Sequence, residues 1–360
     1  VEVEEDTDYV GLPANLARER AQVLSDIQYR LKFLIQEQRE TGIEGVATLE
    51  FSLNDRVESL VVDFRAPTDY LGAVSVNGEP CDCEFIRGQI FLPGELLKAD
   101  VNRVDLEFRP SDVALNRRKD YLYTLFVPDR AATAFPCFDQ PDLKAVFRLE
   151  LEVPASWTAV SNAAVVAERP TGDRRSILFG ETDPISTYLF AFAVGDFQVE
   201  QYELLGRRVK MFHRESRSEL RVANLEAIFQ LHSSALSWLE EYTGISYPFS
   251  KFDFVVIPDF QFGGMEHPGA IFYKGSRLFL EETATQDDLL GRASLIAHEV
   301  AHMWFGDLVT MTWFDDVWMK EVFANFVAAK IVNPSFPDVR HDLRFFLEHY
   351  PSAYAIDRSS

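Results

Sequence analysis

Cysteine is scarce in this chain. Only Cys81, Cys83 and Cys137 occur in 360 residues. Three cysteines cannot form a full disulfide framework, and no CxxC pair marks a cysteine-based zinc site. Cys81 and Cys83 stand too close for an ordinary structural bridge, so all three are expected as free thiols. Free thiols fit a reducing compartment without requiring one. No apolar run reaches the length of a membrane span, and no signal peptide is visible. The first residue is Val1 rather than methionine, which leaves room for a removed leader, so cytoplasmic and exported locations both stay open. Positive charge is also in short supply: 35 Lys and Arg face 57 Asp and Glu, a net charge of −22. Nucleic acid is a poor partner for such a surface, because phosphates need basic patches. A cationic ligand such as a peptide amine is tolerated or attracted, although solubility is the plainer reading of the charge. Internal repeats and low-complexity tracts are missing too, which excludes solenoid architectures.

The length suits two domains, each with its own core, and a hydrophobic fraction of 47% is ordinary for a folded protein. After the acidic opening VEVEEDTDYVG, a short amphipathic helix is expected over Ala14–Leu24. From Ser25 to about Leu204 the signals are mostly β: IQYRLKFLI, GVATLEFSL, RVDLEFRP and VFRLELEVP alternate apolar and polar residues as half-buried strands do. Turns at Asn77-Gly78, Pro93-Gly94 and Thr171-Gly172-Asp173 punctuate them. The period then changes. A long helix is predicted within Ser216–Gly244, with Ser216 and Glu219 as a capping box and Gly244 as its stop. The strand FDFVVIP follows. Another helix starts near Thr285, whose spacing to Asp288 is again that of a capping box, and runs into His298 and His302. Asp315 or Asp316 is the expected cap of a further helix carrying Glu321. The expected fold class is α+β, with residues 1–205 a β-rich domain and 206–360 a second domain.

The chemistry is concentrated in HEVAHMWFGDLVTMTWFDDVWMKE, residues 298–321. On a helix, positions i and i+4 share a face about 6 Å apart along the axis. His298 and His302 can therefore grip one metal ion, while the Glu299 side chain projects differently and is suited to act on water instead. The apolar surroundings predict a buried helix, and polar side chains there need a partner. Glu321, separated from His302 by eighteen intervening residues and on a separate helix, is the candidate third ligand. Two His and one Glu leave a fourth position open, the arrangement of a catalytic zinc site. The alternative is two core histidines paired with carboxylates. Asn325, one turn after Glu321, either orients that ligand or merely packs its helix. GGMEH, residues 263–267, offers a carboxylate, Glu266, beside two glycines that permit close backbone approach; read alone it is equally a turn with a solvated acid. His213, His232, His341 and His349 lack ligand spacing and are assigned structural or surface places. Arg117, Arg118 and Lys119 are expected on a solvated face.

Three blocks then carry a resemblance. FPCFDQPDLKAVF (Phe135 to Phe147), GGMEH and HEVAH with WMKEVFA occur in the order found in the aminopeptidase N (alanyl aminopeptidase) family of gluzincin zinc peptidases. The resemblance covers residues 25 to 350. It implies a saddle-like antiparallel β domain followed by the front part of a thermolysin-like catalytic domain. It implies zinc on His298, His302 and Glu321, and Glu299 as general base. Glu266 would bind the substrate's free α-amine, with the Gly263–Gly264 backbone lining its path. The implied partners are peptides with a free N-terminus. The chain departs from the family pattern at His267 and Lys320, where asparagine is usual, at Val322, and at Leu125, which stands where a family Gln or Glu helps hold the amine. The family's oxyanion-stabilising tyrosine is expected beyond Ser360, since Tyr350 and Tyr354 come too early, so the chain resembles a fragment of a longer enzyme. Two other readings are a zinc-bearing protein that holds peptide ends without turnover and an epoxide-hydrolysing relative.

Overall fold

A computed structural model describes residues 11–38 and 41–358; most of the acidic opening stretch lies outside them. The short helix is present at Ala14–Val23, one residue shorter than expected. The alternating segments become strands for the reason given: in Leu24–Leu34, Tyr29, Leu31 and Phe33 are buried while Arg30 and Lys32 face out. This strand sits inside an eight-stranded sheet. It pairs antiparallel with Glu44–Leu53, but parallel with Val146–Pro154, which returns only after a long excursion of the chain. A three-stranded and a four-stranded sheet complete this part. Between them lies a phenylalanine-rich core in which Phe147 stacks on Phe190 at 4.5 Å and Phe33 meets Phe108 edge-on at 5.8 Å.

The FPCFDQP block is structural. Its Phe135, Cys137 and Phe138 are buried, and the Cys137 backbone exchanges hydrogen bonds with Asp63 at 2.8 and 3.0 Å. The Asp63 carboxylate in turn accepts from the buried Arg20 at 2.7 and 2.9 Å and from the Asp139 amide at 3.0 Å.

Three expectations are corrected here. Cys81 and Cys83 are not free thiols but are bridged to each other. The chain bends at Asp82 and brings their α-carbons to 5.2 Å, within the span a disulfide closes; Cys137 alone is free, and it is buried. Arg117 is not on a solvated face. Its guanidinium is buried and donates to the carbonyls of Gln38 and Thr41 at 3.1 and 3.0 Å; Arg118, paired with Asp259, and Lys119 are exposed as expected. The Ser216–Glu219 box does not form. The helix begins at Ser218 behind Arg217 with no side-chain cap, because Glu215 turns instead onto the Arg217 amide at 2.8 Å.

The second part is built on a five-stranded mixed sheet ordered Gln198–Leu204, Arg207–His213, Phe254–Ile257, Ile271–Lys274, Gly264–Met265. The helix Ser218–Thr243 is the crossover between the parallel strands Arg207–His213 and Phe254–Ile257. Gly244 ends it in the left-handed region at φ 68°, as its position predicts. The helix Gln286–His302 starts at a complete capping box: Thr285 accepts from the Asp288 amide and Asp288 accepts from the Thr285 amide. The helix Val317–Val332 follows a single 3₁₀ turn, with Asp316 at its N-cap but no side-chain bond from it. Among the described residues, no helix is long and apolar enough to cross a membrane.

Candidate metal centre and amine pocket

The helix Gln286–His302 buries Ile296, Ala297, Val300 and Ala301 against the core. That packing fixes its rotation and turns His298 and His302 together toward the helix Val317–Val332. The His302 ring has one settled tautomer. Its Nδ1 lies 3.0 Å from the carbonyl of Phe305, and a carbonyl only accepts, so Nδ1 carries the proton and Nε2 presents a lone pair. His298 Nε2 lies 3.0 Å from that lone pair. Glu321 Oε2 lies 3.3 Å from His298 Nε2 and 3.6 Å from His302 Nε2. Two ring nitrogens and one carboxylate oxygen therefore converge on one point. Three converging donors of this type fit a divalent cation of intermediate softness, and a backbone carbonyl orienting one imidazole from behind is how metal-bound histidines are held. The three candidate ligands read from the sequence are thus brought together. Asn325 is not part of the arrangement: it is exposed, and no hydrogen bond links it to Glu321.

Glu299 is buried behind this point. Burial, aided by the neighbouring charges of Glu266 and Glu321 and opposed by His298, pushes its carboxyl up to about 8. Gly264 makes room for it. A β-carbon at Gly264 would fall 2.6 Å from Glu299 Cγ, a distance no side-chain contact tolerates. The same glycine lies on the edge strand of the sheet, where Gly264 pairs with Tyr273 on one side only. Gly263 is less constrained; a β-carbon there would meet the flexible end of Leu295 at 3.3 Å, and its carbonyl accepts from Lys274 at 2.9 Å.

Glu266 follows directly after that strand and is also buried. One of its oxygens lies within 4.8 Å of ligand atoms of both His302 and Glu321. Burial alone would raise this carboxyl, but the Lys320 ammonium outweighs it and holds the group at about 2. The Lys320 ammonium bonds directly to Glu266 Oε1 and also lies 3.3 Å from Glu321 Oε1. Burial would discharge Lys320; Glu266, Tyr188 and Glu321 overcome it and keep it firmly protonated.

Sequence reasoning missed several neighbours. Lys320 was visible only as a departure from the family pattern. Tyr188 comes from the β-rich part, places its ring 5.2 Å from the Lys320 ammonium, and has a buried hydroxyl without a partner among the described residues. Asp307 is completely buried with both carboxylate oxygens unpartnered among the described residues, and burial next to Glu266 lifts its carboxyl far above the usual range. His267, packed edge-on against Phe272 at 4.6 Å, is lowered to about 3 by burial. Lys144, from the β-rich part, donates to the carbonyls of Asp307 and Leu308 at 2.7 and 2.9 Å, in the loop between the two ligand-bearing helices. Only Gly306, whose φ of 139° sits against His302 Nδ1 and the Lys320 stem, gave a local sign in the sequence that this loop is tightly packed.

Known proteins resemble both parts of the chain. Residues 228–360 match the peptidase family M1 domain, and residues 110–189 match the peptidase M1 N-terminal domain. The chain is 34% identical over 331 residues to an aminopeptidase N of Streptomyces lividans, covering 87% of this chain and 37% of that protein. It is 36% identical over 238 residues to a puromycin-sensitive aminopeptidase of Caenorhabditis elegans, covering 65% of this chain and 25% of that one. Against aminopeptidase M1-A of rice, identity is 36% over 242 residues, covering 67% and 27%. The chain thus spans between a quarter and two fifths of these relatives' length. The two family models, one in each half of the chain, and the 34% identity over 87% of it place the chain in the M1 family of peptidases, the family of aminopeptidase N.

Proposed function

We propose that the intact protein is a zinc-dependent aminopeptidase that removes the N-terminal residue of peptides. The observation that carries this reading is the position of Glu266, a buried ionised carboxylate within 4.8 Å of two candidate metal ligands. A carboxylate so placed measures the distance from a peptide's ammonium to its first carbonyl, so one residue fits between anchor and scissile bond. His298, His302 and Glu321 would hold the zinc. The ion supplies Lewis acidity toward a carbonyl oxygen and toward water.

The remaining work falls to the chain's own side chains. Glu299 takes a proton from the attacking water and gives it to the departing amine. Its dry setting holds it near neutral pKa, where a group both accepts and returns a proton efficiently. A cation held by its neighbours would draw that value down and favour the basic form. The free side of the Gly264–Met265 edge strand is available to pair with an extended substrate backbone, and the missing side chains at Gly263 and Gly264 let it approach. We place the division between the β-rich and the catalytic domain just ahead of the strand Gln198–Leu204, which pairs into the second sheet rather than the first, with Tyr188 and Lys144 as the β-rich domain's contribution to the site.

The test compares leucine p-nitroanilide with its N-acetylated twin on the intact, zinc-loaded protein. Cleavage of the free amine with the blocked substrate at least a hundredfold slower is expected. Equal cleavage would remove the exopeptidase assignment. Binding of zinc and peptide with no hydrolysis of either substrate would favour a holding function instead.

A further inference from the structure

Lys320 stands against Glu266, the anchor proposed above for a substrate ammonium. Its Nζ bonds to Glu266 Oε1, lies 3.3 Å from Glu321 Oε1, and sits 5.2 Å from the Tyr188 ring centre. Two carboxylates and an aromatic face are what an aminopeptidase pocket would offer to a peptide's amine. Here an internal amine already has all three. The side chain reaches the position by running over Gly306, where a β-carbon would meet Lys320 Cδ at 3.3 Å, and it is buried along its length.

We propose that Lys320 is a resident ammonium that fills the amine pocket in the empty site and sets how much the protein gains from a charged N-terminus. This deepens the aminopeptidase reading and rests on its assignment of Glu266. An incoming α-ammonium must share Glu266 with Lys320 or displace it. Either way the attraction between amine and anchor is offset by repulsion between two like charges a few ångströms apart. Lys320 also keeps Glu266 from standing as a buried, unpaired charge when no substrate is bound. The device therefore trades affinity for a preformed anchor, and makes Lys320 a specificity-determining residue. With the anchor partly neutralised, discrimination between free and blocked N-termini is smaller than Glu266 alone would give.

The experiment uses the intact protein, metal-stripped and zinc-loaded, with Lys320→Gln, Lys320→Arg and the double variant Lys320→Gln/Glu266→Gln. Calorimetry on the metal-stripped proteins measures binding of leucinamide and of N-acetyl-leucinamide. The proposal expects K320Q to bind leucinamide about tenfold more tightly than the parent, to bind N-acetyl-leucinamide unchanged, and K320R to match the parent. On the zinc-loaded proteins, KM for a free-amine substrate should fall in K320Q by more than kcat changes. Weaker or unchanged leucinamide binding in K320Q, with thermal midpoint and zinc content preserved, overturns the proposal. So does a loss of zinc in K320Q without a gain in leucinamide affinity, which would make Lys320 a support for Glu321. The double variant separates the two layers. If removing Glu266 leaves leucinamide binding in the K320Q background untouched, the amine-anchor reading fails and the competition proposal goes with it. If it abolishes the gain, the anchor stands and Lys320 competes for it.

Discussion

Gly264→Ala puts the proposed general base to a test that leaves every polar group in place. The added β-carbon would stand 2.6 Å from Glu299 Cγ. An ordinary carbon–carbon contact is about 3.5 to 4 Å, so Glu299 must retreat by about 1 Å. Its helix is held by Ile296, Ala297 and Val300 in the core, so the retreat falls on the Glu299 side chain, which must swing its carboxylate away from the reacting position. A displacement of that size at a reacting group costs roughly 100-fold in rate, and overpacking costs about 1 to 3 kcal/mol of stability. The backbone at 264 is ordinary extended strand, so alanine adds no φ strain of its own. The assay is kcat/KM for a fluorogenic leucine amide, with zinc content and thermal midpoint measured on the same preparations. Gly263→Ala is the internal control: it meets only the flexible tip of Leu295 at 3.3 Å and should stay within a few-fold of the parent. A G264A protein that keeps full zinc and full kcat would refute the claim that this glycine exists to seat Glu299.

Other outcomes follow from the same geometry. Glu299→Gln should keep zinc and lose roughly 100- to 10,000-fold in kcat, measured by elemental analysis beside turnover; loss of zinc instead would make it a ligand. Arg20→Met strands the buried Asp63 carboxylate that anchors the FPCFDQP block and should cost about 3 to 5 kcal/mol in urea unfolding. His232 is buried and lowered to about 4, so the unfolded chain takes up its proton first. Its contribution is intact above the ordinary pKa of about 6.5 and is lost as pH falls toward 4, roughly 3 kcal/mol in all. His232→Phe should flatten that part of the stability–pH curve between pH 7 and 4, and an unchanged slope would count against it. Chelation should lower the thermal midpoint and zinc should restore it; a midpoint indifferent to both would argue against a metal at His298, His302 and Glu321.

Much of the fold was legible because its signals are local. Thr285 and Asp288 are three residues apart and cap each other as their spacing suggests, and the alternation through Tyr29, Leu31 and Phe33 is the strand itself. The ligand triad was legible for the same reason: an i, i+4 pair is set by one helix, and Glu321 by the next. What failed to show were contacts that depend on distant parts of the chain. Lys320 and Glu266 lie 54 residues apart, and Tyr188 and Lys144 arrive from the β-rich part. Nothing in the apolar context of Tyr188 distinguishes it from core. Nearness in sequence argues against a Cys81–Cys83 bridge, but a bend at Asp82 is enough to close it. The Ser216 cap lost to Glu215 and Arg217, a local competition that spacing alone cannot rank.

The reach of Lys144 into the loop after His302 has a consequence for how the protein can be divided. Two carbonyls midway between the ligand-bearing helices rely on an amine from the other half. The β-rich half thus acts as a jig against which the hairpin of candidate ligands is set. A second half produced alone would keep His298, His302 and Glu321 and still lack the brace that sets the loop between them.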